Sequence, residues 1–147
     1  MSKQLAGGCA CGAVRYRLVE GAYDIGWCHC RLCQKSSGAP ALVFATSRID
    51  DFVIDEGADV IGSVRLSPFG ERRFCKRCGS LLTIHVDFQP EEIDIAAATL
   101  DNPEAVQPSF HIFYADHISW APAGDKLPRH DHFRPDTRGL AVGEQPE

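Results

Sequence analysis

Six consecutive positions, Cys28-His29-Cys30-Arg31-Leu32-Cys33, carry three thiols and an imidazole. Two cysteine pairs answer them from elsewhere in the chain: Cys9-Ala10-Cys11 near the start and Cys75-Lys76-Arg77-Cys78 in the middle. The three groups contain all seven cysteines. An odd number of thiols suits a disulfide framework badly. Close pairs suit a metal, because one turn supplies two ligands and a second pair from a distant segment closes the tetrahedron. Zinc is the expected ion, and two zinc ions per chain account for the set. Cys9, Cys11, Cys75 and Cys78 make a closed, structural four-cysteine site that staples two distant segments, so its binding energy becomes folding energy. Cys28, Cys30 and Cys33 then remain. Three protein ligands leave a fourth position for water or substrate, the arrangement of a catalytic zinc. A site completed by a histidine is the alternative partition.

A chain of 147 residues, 44% hydrophobic, suffices for one domain with its own core. Its formal charge is −5. Seven thiolates and two zinc ions would carry it to about −8. That balance argues against a nucleic-acid partner, which calls for a basic face. Arg31, Lys35, Arg72, Arg73, Lys76 and Arg77 crowd the clusters, where they can offset thiolate charge or attract an anion. The first residues lack the apolar region of a signal peptide, and no run approaches the roughly 20 apolar residues of a membrane span. A cytoplasmic, reducing setting is the expectation, with free thiols as ligands or reactive groups.

Short apolar runs with Gly and Pro between them predict a mainly β fold with few short helices. Val14 to Leu18 alternates, as a half-buried strand does. Ile25-Gly26-Trp27 leads into the central cluster, which places the metal at a strand end. Ala41 to Ala45 is unbroken, as for a strand buried on both faces. Strands are also expected at Phe52-Val53-Ile54, Asp59 to Leu66, Leu81 to Val86 and Glu92 to Ala96, the last two joined around Gln89-Pro90. Asn102-Pro103 signals a short helix start. Gln34 to Pro40 reads as a loop or one helical turn, and Ser36, Ser37 and Gly38 could line a pocket with their N–H groups. Pro, Gly and charge accumulate after Ala121, and the last dozen residues are expected to be poorly ordered.

Several of these blocks match a known family. Gly8-Cys9-Ala10-Cys11-Gly12-Ala13-Val14-Arg15-Tyr16 resembles the opening of the glutathione-dependent formaldehyde-activating enzyme (GFA) family, which shares its domain with centromere-protein-V-type proteins. Cys28 through Ala39 is similar to its central motif. Arg73-Phe74-Cys75-Lys76-Arg77-Cys78-Gly79-Ser80 resembles its third block, and Asp94-Ile95 to Leu100-Asp101, then His111-Ile112, its later part. The resemblance spans residues 5–120, with 121–147 as a C-terminal extension ending in a partly disordered tail. It implies a β-tent fold of stacked antiparallel sheets, and the same division of the cysteines into a structural and a catalytic zinc site. It also implies a carbon–sulfur lyase activity that joins formaldehyde to glutathione as S-hydroxymethylglutathione. His117-Ile118-Ser119-Trp120 departs from the Leu-Pro-Trp-like segment usual at that point, so a pocket wall is expected to differ.

An aldehyde oxygen that becomes a hydroxyl needs a proton, and histidine is the natural shuttle near neutral pH. His29, between two ligands, and His111, in a matching block, are the catalytic candidates. The ring of His29 should point away from the metal. His85 reads as structural, and His117, His130 and His132 carry no further signal. Two other functions compete with the enzyme: a non-catalytic zinc module that binds a partner, and a redox sensor whose exposed thiols oxidise and release zinc.

Overall fold

The computed structural model describes residues 3–137. Among the described residues, ten strands form two sheets, with one α-helix and several single 3-10 turns between them. The smaller sheet orders β1 (Leu5–Gly8), β2 (Arg15–Leu18) and β5 (Phe52–Glu56), all antiparallel. In β2 the alternation works as anticipated. Tyr16 and Leu18 are 1% and 0% exposed, while Arg15 and Arg17 turn outward to pair with Asp101 and Asp55. The Tyr16 hydroxyl stays satisfied by Thr99 Oγ1 at 2.8 Å. Each of these two inward side chains contributes about 2 kcal/mol through apolar burial.

The larger sheet contains seven strands: β3 (Tyr23–Cys28), β4 (Leu42–Arg48), β6 (Ile61–Ser67), β7 (Gly70–Cys75), β8 (Leu81–Val86), β9 (Glu92–Ala96) and β10 (His111–Ile112). Its order is β10-β3-β4-β9-β8-β7-β6, antiparallel except where β10 runs parallel to β3. Tyr16, Leu18, Ala45, Ile95 and Leu100 share one core between the two sheets. This is the mainly β architecture that the residue pattern and the family resemblance predict.

Two local expectations need correction. The helix α1 spans Arg31–Ser37 and so begins inside the central cluster, where a loop or single turn was expected later. Its cap is Cys30, whose Sγ accepts the Cys33 N–H at 3.3 Å. The run from Ala41 to Phe44 is only half-buried, because one face borders a cavity. The short helix start read at Asn102-Pro103 is present, as one 3-10 turn over Pro103–Ala105 with Asn102 as its cap.

Residues 128–132 run alongside β10. The His111 N–H donates to the Pro128 carbonyl and the His130 N–H to the His111 carbonyl, both at 2.9 Å. This brings Phe133 onto Phe113, ring centres 4.9 Å apart. Residues 138–147, most of the segment expected to be poorly ordered, lie outside the described residues. Among the described residues no helix is long and apolar enough to cross a membrane.

Candidate metal centres and cavity

The seven thiols gather into the two groups expected. The ligand atoms of Cys9, Cys11, Cys75 and Cys78 all lie within 4.8 Å of one another, and those of Cys28, Cys30 and Cys33 do likewise. In the first group, Cys9 Sγ is 3.6 Å from Cys11 Sγ, which is 3.9 Å from Cys75 Sγ. A tetrahedron of zinc–thiolate bonds about 2.3 Å long has edges of about 3.8 Å, so this donor set suits zinc. Local structure aims the sulfurs. Each pair is closed by a glycine with positive φ, +80° at both Gly12 and Gly79, whose N–H returns to the carbonyl of the first cysteine of its pair. Backbone N–H groups then point at sulfur, Val14 to Cys9 at 3.2 Å and Arg77 to Cys75 at 3.4 Å. Cys9 and Cys75 are buried with Val14 and Leu82, so this site is welded into a satellite core.

The second group sits where β3 ends and α1 begins. Cys28 is the last residue of the strand, Cys30 caps the helix, and Cys33 lies one turn in. Three buried or half-buried thiols this close cannot all ionise without a cation. Hydrogen bonds from Cys28 and Cys33 pull Cys30 far down, while the bonds to Cys30 and Cys33 push Cys28 well above its ordinary value. The buried Arg72 supplies part of the missing positive charge. Its Nη2 donates to Cys33 Sγ at 3.5 Å and its Nη1 to Ser36 Oγ at 3.2 Å.

These three cysteines, unlike the other four, line a cavity of about 360 Å³. Its middle is apolar, with Phe44, Ile84, Phe110 and Phe133 on the wall. Its other end holds Thr46, Asp94, Glu92, Asp24 and Arg134. Asp94 is half-buried there, and Thr46 Oγ1 donates to its Oδ1 at 2.7 Å. Burial pushes the Asp94 carboxyl up to about 7 against the weaker pull of that hydrogen bond.

The histidines behave differently from one another. His29 and His111 come together from distant parts of the chain, His29 Nε2 to His111 Nδ1 at 2.8 Å. His111 Nε2 continues to both carboxylate oxygens of Asp125 at 3.0 Å. Trp27 stacks on His111, ring centres 6.0 Å apart, and the Tyr114 ring meets His29 edge-on. The two rings are 4% and 2% exposed and neither lines the cavity. Burial, then the charge of His111, lowers His29 to about 4, so its ring is neutral at pH 7. His85 bonds the Pro90 carbonyl, and His117 stacks on Tyr114. Ser36 and Ser37 do not line the cavity either. Both sit in the last turn of α1, with their hydroxyls returned to the carbonyls of Leu32 and Cys33, and Gly38 is the helix cap.

Asp94, Asp125 and Phe133, at or behind this site, escaped the sequence reading, and Arg72 stood out there only as one of several basic residues near the cysteines. Asp94 and Arg72 alternate with apolar or outward residues on their strands, and that pattern also describes any solvated face. Asp125 and Phe133 lie in a Pro- and Gly-rich stretch without periodicity.

Residues 4–116 match the family model for glutathione-dependent formaldehyde-activating enzymes. The chain belongs to this family. A Halomonas elongata protein named "Putative glutathione-dependent formaldehyde-activating enzyme" is 33% identical over 104 residues, 67% of this chain and 66% of that protein. A Schizosaccharomyces pombe protein named as an uncharacterized lyase is 29% identical over 76 residues, 52% of this chain and 53% of the relative. The chain therefore spans about two thirds and about half of these relatives. A crystal structure of a Rhodobacter sphaeroides protein superimposes with a TM-score of 0.59 at 24% identity, covering 85% of this chain and 99% of the other, and so shares the fold.

Proposed function

We propose that the chain is a zinc-dependent carbon–sulfur lyase-type enzyme acting on thiol adducts of small electrophiles, with glutathione and formaldehyde giving S-hydroxymethylglutathione as the leading case. One observation carries this reading: of the two cysteine clusters among the described residues that could each hold a metal ion, the three-cysteine one lines the cavity and the four-cysteine one does not. A structural site has no need of a cavity. The names of the family and of the Halomonas relative supply the leading substrate pair.

In this reading Cys9, Cys11, Cys75 and Cys78 hold the structural zinc, and Cys28, Cys30 and Cys33 hold the catalytic one. A zinc bound by the three thiolates supplies a position at which an incoming thiol is held deprotonated near neutral pH. The chemistry balances without a redox partner. A sulfur–carbon bond forms, the carbonyl π bond opens, and the proton lost by the thiol ends on the new hydroxyl. Arg72 holds Cys33 in place and offsets its charge. The apolar wall of Phe44, Phe110 and Phe133 excludes water from the reacting sulfur.

His29 and His111 enter as positioning residues. Asp125 orients His111, His111 orients His29, and His29 fixes the turn between two zinc ligands. Gln34 Nε2 braces the same turn through the His29 carbonyl at 2.7 Å. The extension after residue 120 belongs to the working unit in this reading, because Phe133 and Arg134 line the cavity.

The test pairs zinc stoichiometry with NMR of formaldehyde and glutathione. Two zinc ions per chain and a hydroxymethyl-thioether signal growing faster than the uncatalysed rate are expected. Cys30→Ser should lose one zinc and the acceleration together. Survival of both would overturn the reading.

A further inference from the structure

The cavity is longer than thiol chemistry alone requires. Along β3 and β4, Cys28 stands opposite Leu42, Gly26 opposite Phe44, and Tyr23 opposite Thr46. Thr46 in turn stands opposite Asp94 on β9. Four strand residues separate the level of Cys28 from the level of Asp94, about 13 Å. A zinc–sulfur bond of about 2.3 Å and a hydrogen bond of about 2.8 Å leave about 8 Å for a ligand that touches both ends. A cysteine-sized thiol is too short for that gap, and an extended peptide-sized thiol fills it. The separation also keeps Asp94 from exchanging a proton with the reacting sulfur.

The far end has a definite chemistry. Asp94 Oδ1 accepts from Thr46, the one hydrogen-bond partner of this carboxyl among the described residues. Its other oxygen is not among the sealed polar atoms, and the residue lines the cavity, so that oxygen opens into it. Glu92, which accepts from the Tyr23 hydroxyl, and Asp24, paired with Arg134 at 3.4 Å, stand on the same wall. Three carboxyl groups against one guanidinium make this end unfavourable for an anion and favourable for a cation.

Resting on the function proposed above, we infer that Asp94, oriented by Thr46, is a specificity-determining residue that binds a primary ammonium carried by the substrate about 8 Å from its sulfur. The substrate class is a peptide-sized thiol with a free amino group. Burial and the nearby Glu92 and Asp24 hold the vacant carboxyl near neutrality, and an arriving ammonium replaces that lost solvation and lets it ionise.

The experiment compares three thiols on the zinc-loaded protein: glutathione, its N-acetyl derivative and 2-mercaptoethanol. Binding is read by calorimetry, and addition to formaldehyde by NMR. The wild type should bind glutathione at least tenfold more tightly than the N-acetyl form. Asp94→Asn should abolish that preference, raising KM for glutathione with little change in kcat and leaving 2-mercaptoethanol unaffected. Thr46→Val, which keeps the shape of the wall, should reduce the preference in part and covers the case in which Asp94→Asn fails to fold. Equal binding of the two peptides by the wild type, or a preference that persists in Asp94→Asn, would overturn the assignment. Failure of the proposed activity looks different: no thiol is turned over, while the calorimetric preference still reads the ammonium site.

Discussion

The guanidinium of Arg72, on β7, donates to the sulfur of Cys33, on α1, at 3.5 Å. A zinc ion held by the three thiolates would carry a net charge of −1, which this buried cation would offset. Arg72→Met keeps the bulk and removes the charge. Outer-shell partners of this kind change metal affinity by roughly 10–100-fold. Competition with a chromophoric chelator should show one zinc released at least tenfold more readily than in the wild type, with the second unchanged. Equal retention of both ions would show that Arg72 only fills space.

The two clusters should separate in their effects on folding. Cys75 is fully buried at the junction of Val14 and Leu82, so Cys75→Ser removes a ligand and leaves a hydroxyl in an apolar setting. Loss of cooperative thermal unfolding is the expected result by circular dichroism. Cys30→Ser replaces a half-buried sulfur at a helix cap, and serine caps helices well. That variant should remain folded with one zinc bound. Two variants of equal stability would contradict the division into structural and working sites.

The cysteine groups were legible in the sequence because ligand pairs at fixed short spacing have few other uses. Strand alternation was equally legible in β2, where Tyr16 and Leu18 point inward as the pattern requires. Other features depend on tertiary context. The start of α1 was hidden because its cap is a thiol rather than the Ser, Thr, Asp or Asn that mark helix starts. The run Ala41 to Ala45 reads as doubly buried, yet its Phe44 faces a cavity that only the packing of β8, β9 and the segment around Phe133 creates. Asp94 looks like any polar residue between two isoleucines. Its chemistry comes from burial in the cavity wall, and its orientation from Thr46, 48 positions away.

The relay from His29 through His111 joins two buried rings and ends on the exposed carboxylate of Asp125, so removing the middle ring leaves the buried His29 Nε2 unsatisfied. His111→Phe preserves the ring against Trp27 but deprives the buried His29 Nε2 of its partner, while Asp125, exposed, keeps the Leu127 N–H. A loss of about 1–3 kcal/mol is expected from chemical denaturation. Asp125→Asn keeps a hydrogen-bonding side chain at that position and should cost less. If His111→Phe is as stable as the wild type, the chain contributes nothing to holding the ligand turn.

Asp94 should leave a signature in the pH dependence of stability. Its folded pKa of about 7 lies above the ordinary 3.8 of an unfolded aspartate. Between these values the folded protein binds one more proton than the unfolded chain, so stability from this group falls as pH rises through that window. The maximal slope is about 1.4 kcal/mol per pH unit, and the penalty is complete above pH 7. The groups facing the carboxyl are Thr46 on β4, Glu92 on β9, Asp24 on β3, and Arg134. The first lowers its pKa by hydrogen bonding, the two acids raise it, and the arginine lowers it. Asparagine at position 94 cannot titrate. The stability difference between Asp94→Asn and wild type, read from denaturant midpoints, should therefore shift in favour of the variant as pH rises from 5 to 7.5. Groups that titrate alike in both proteins cancel in the difference. A difference that stays constant across that range would place the Asp94 carboxyl in an environment as wet as the outer surface.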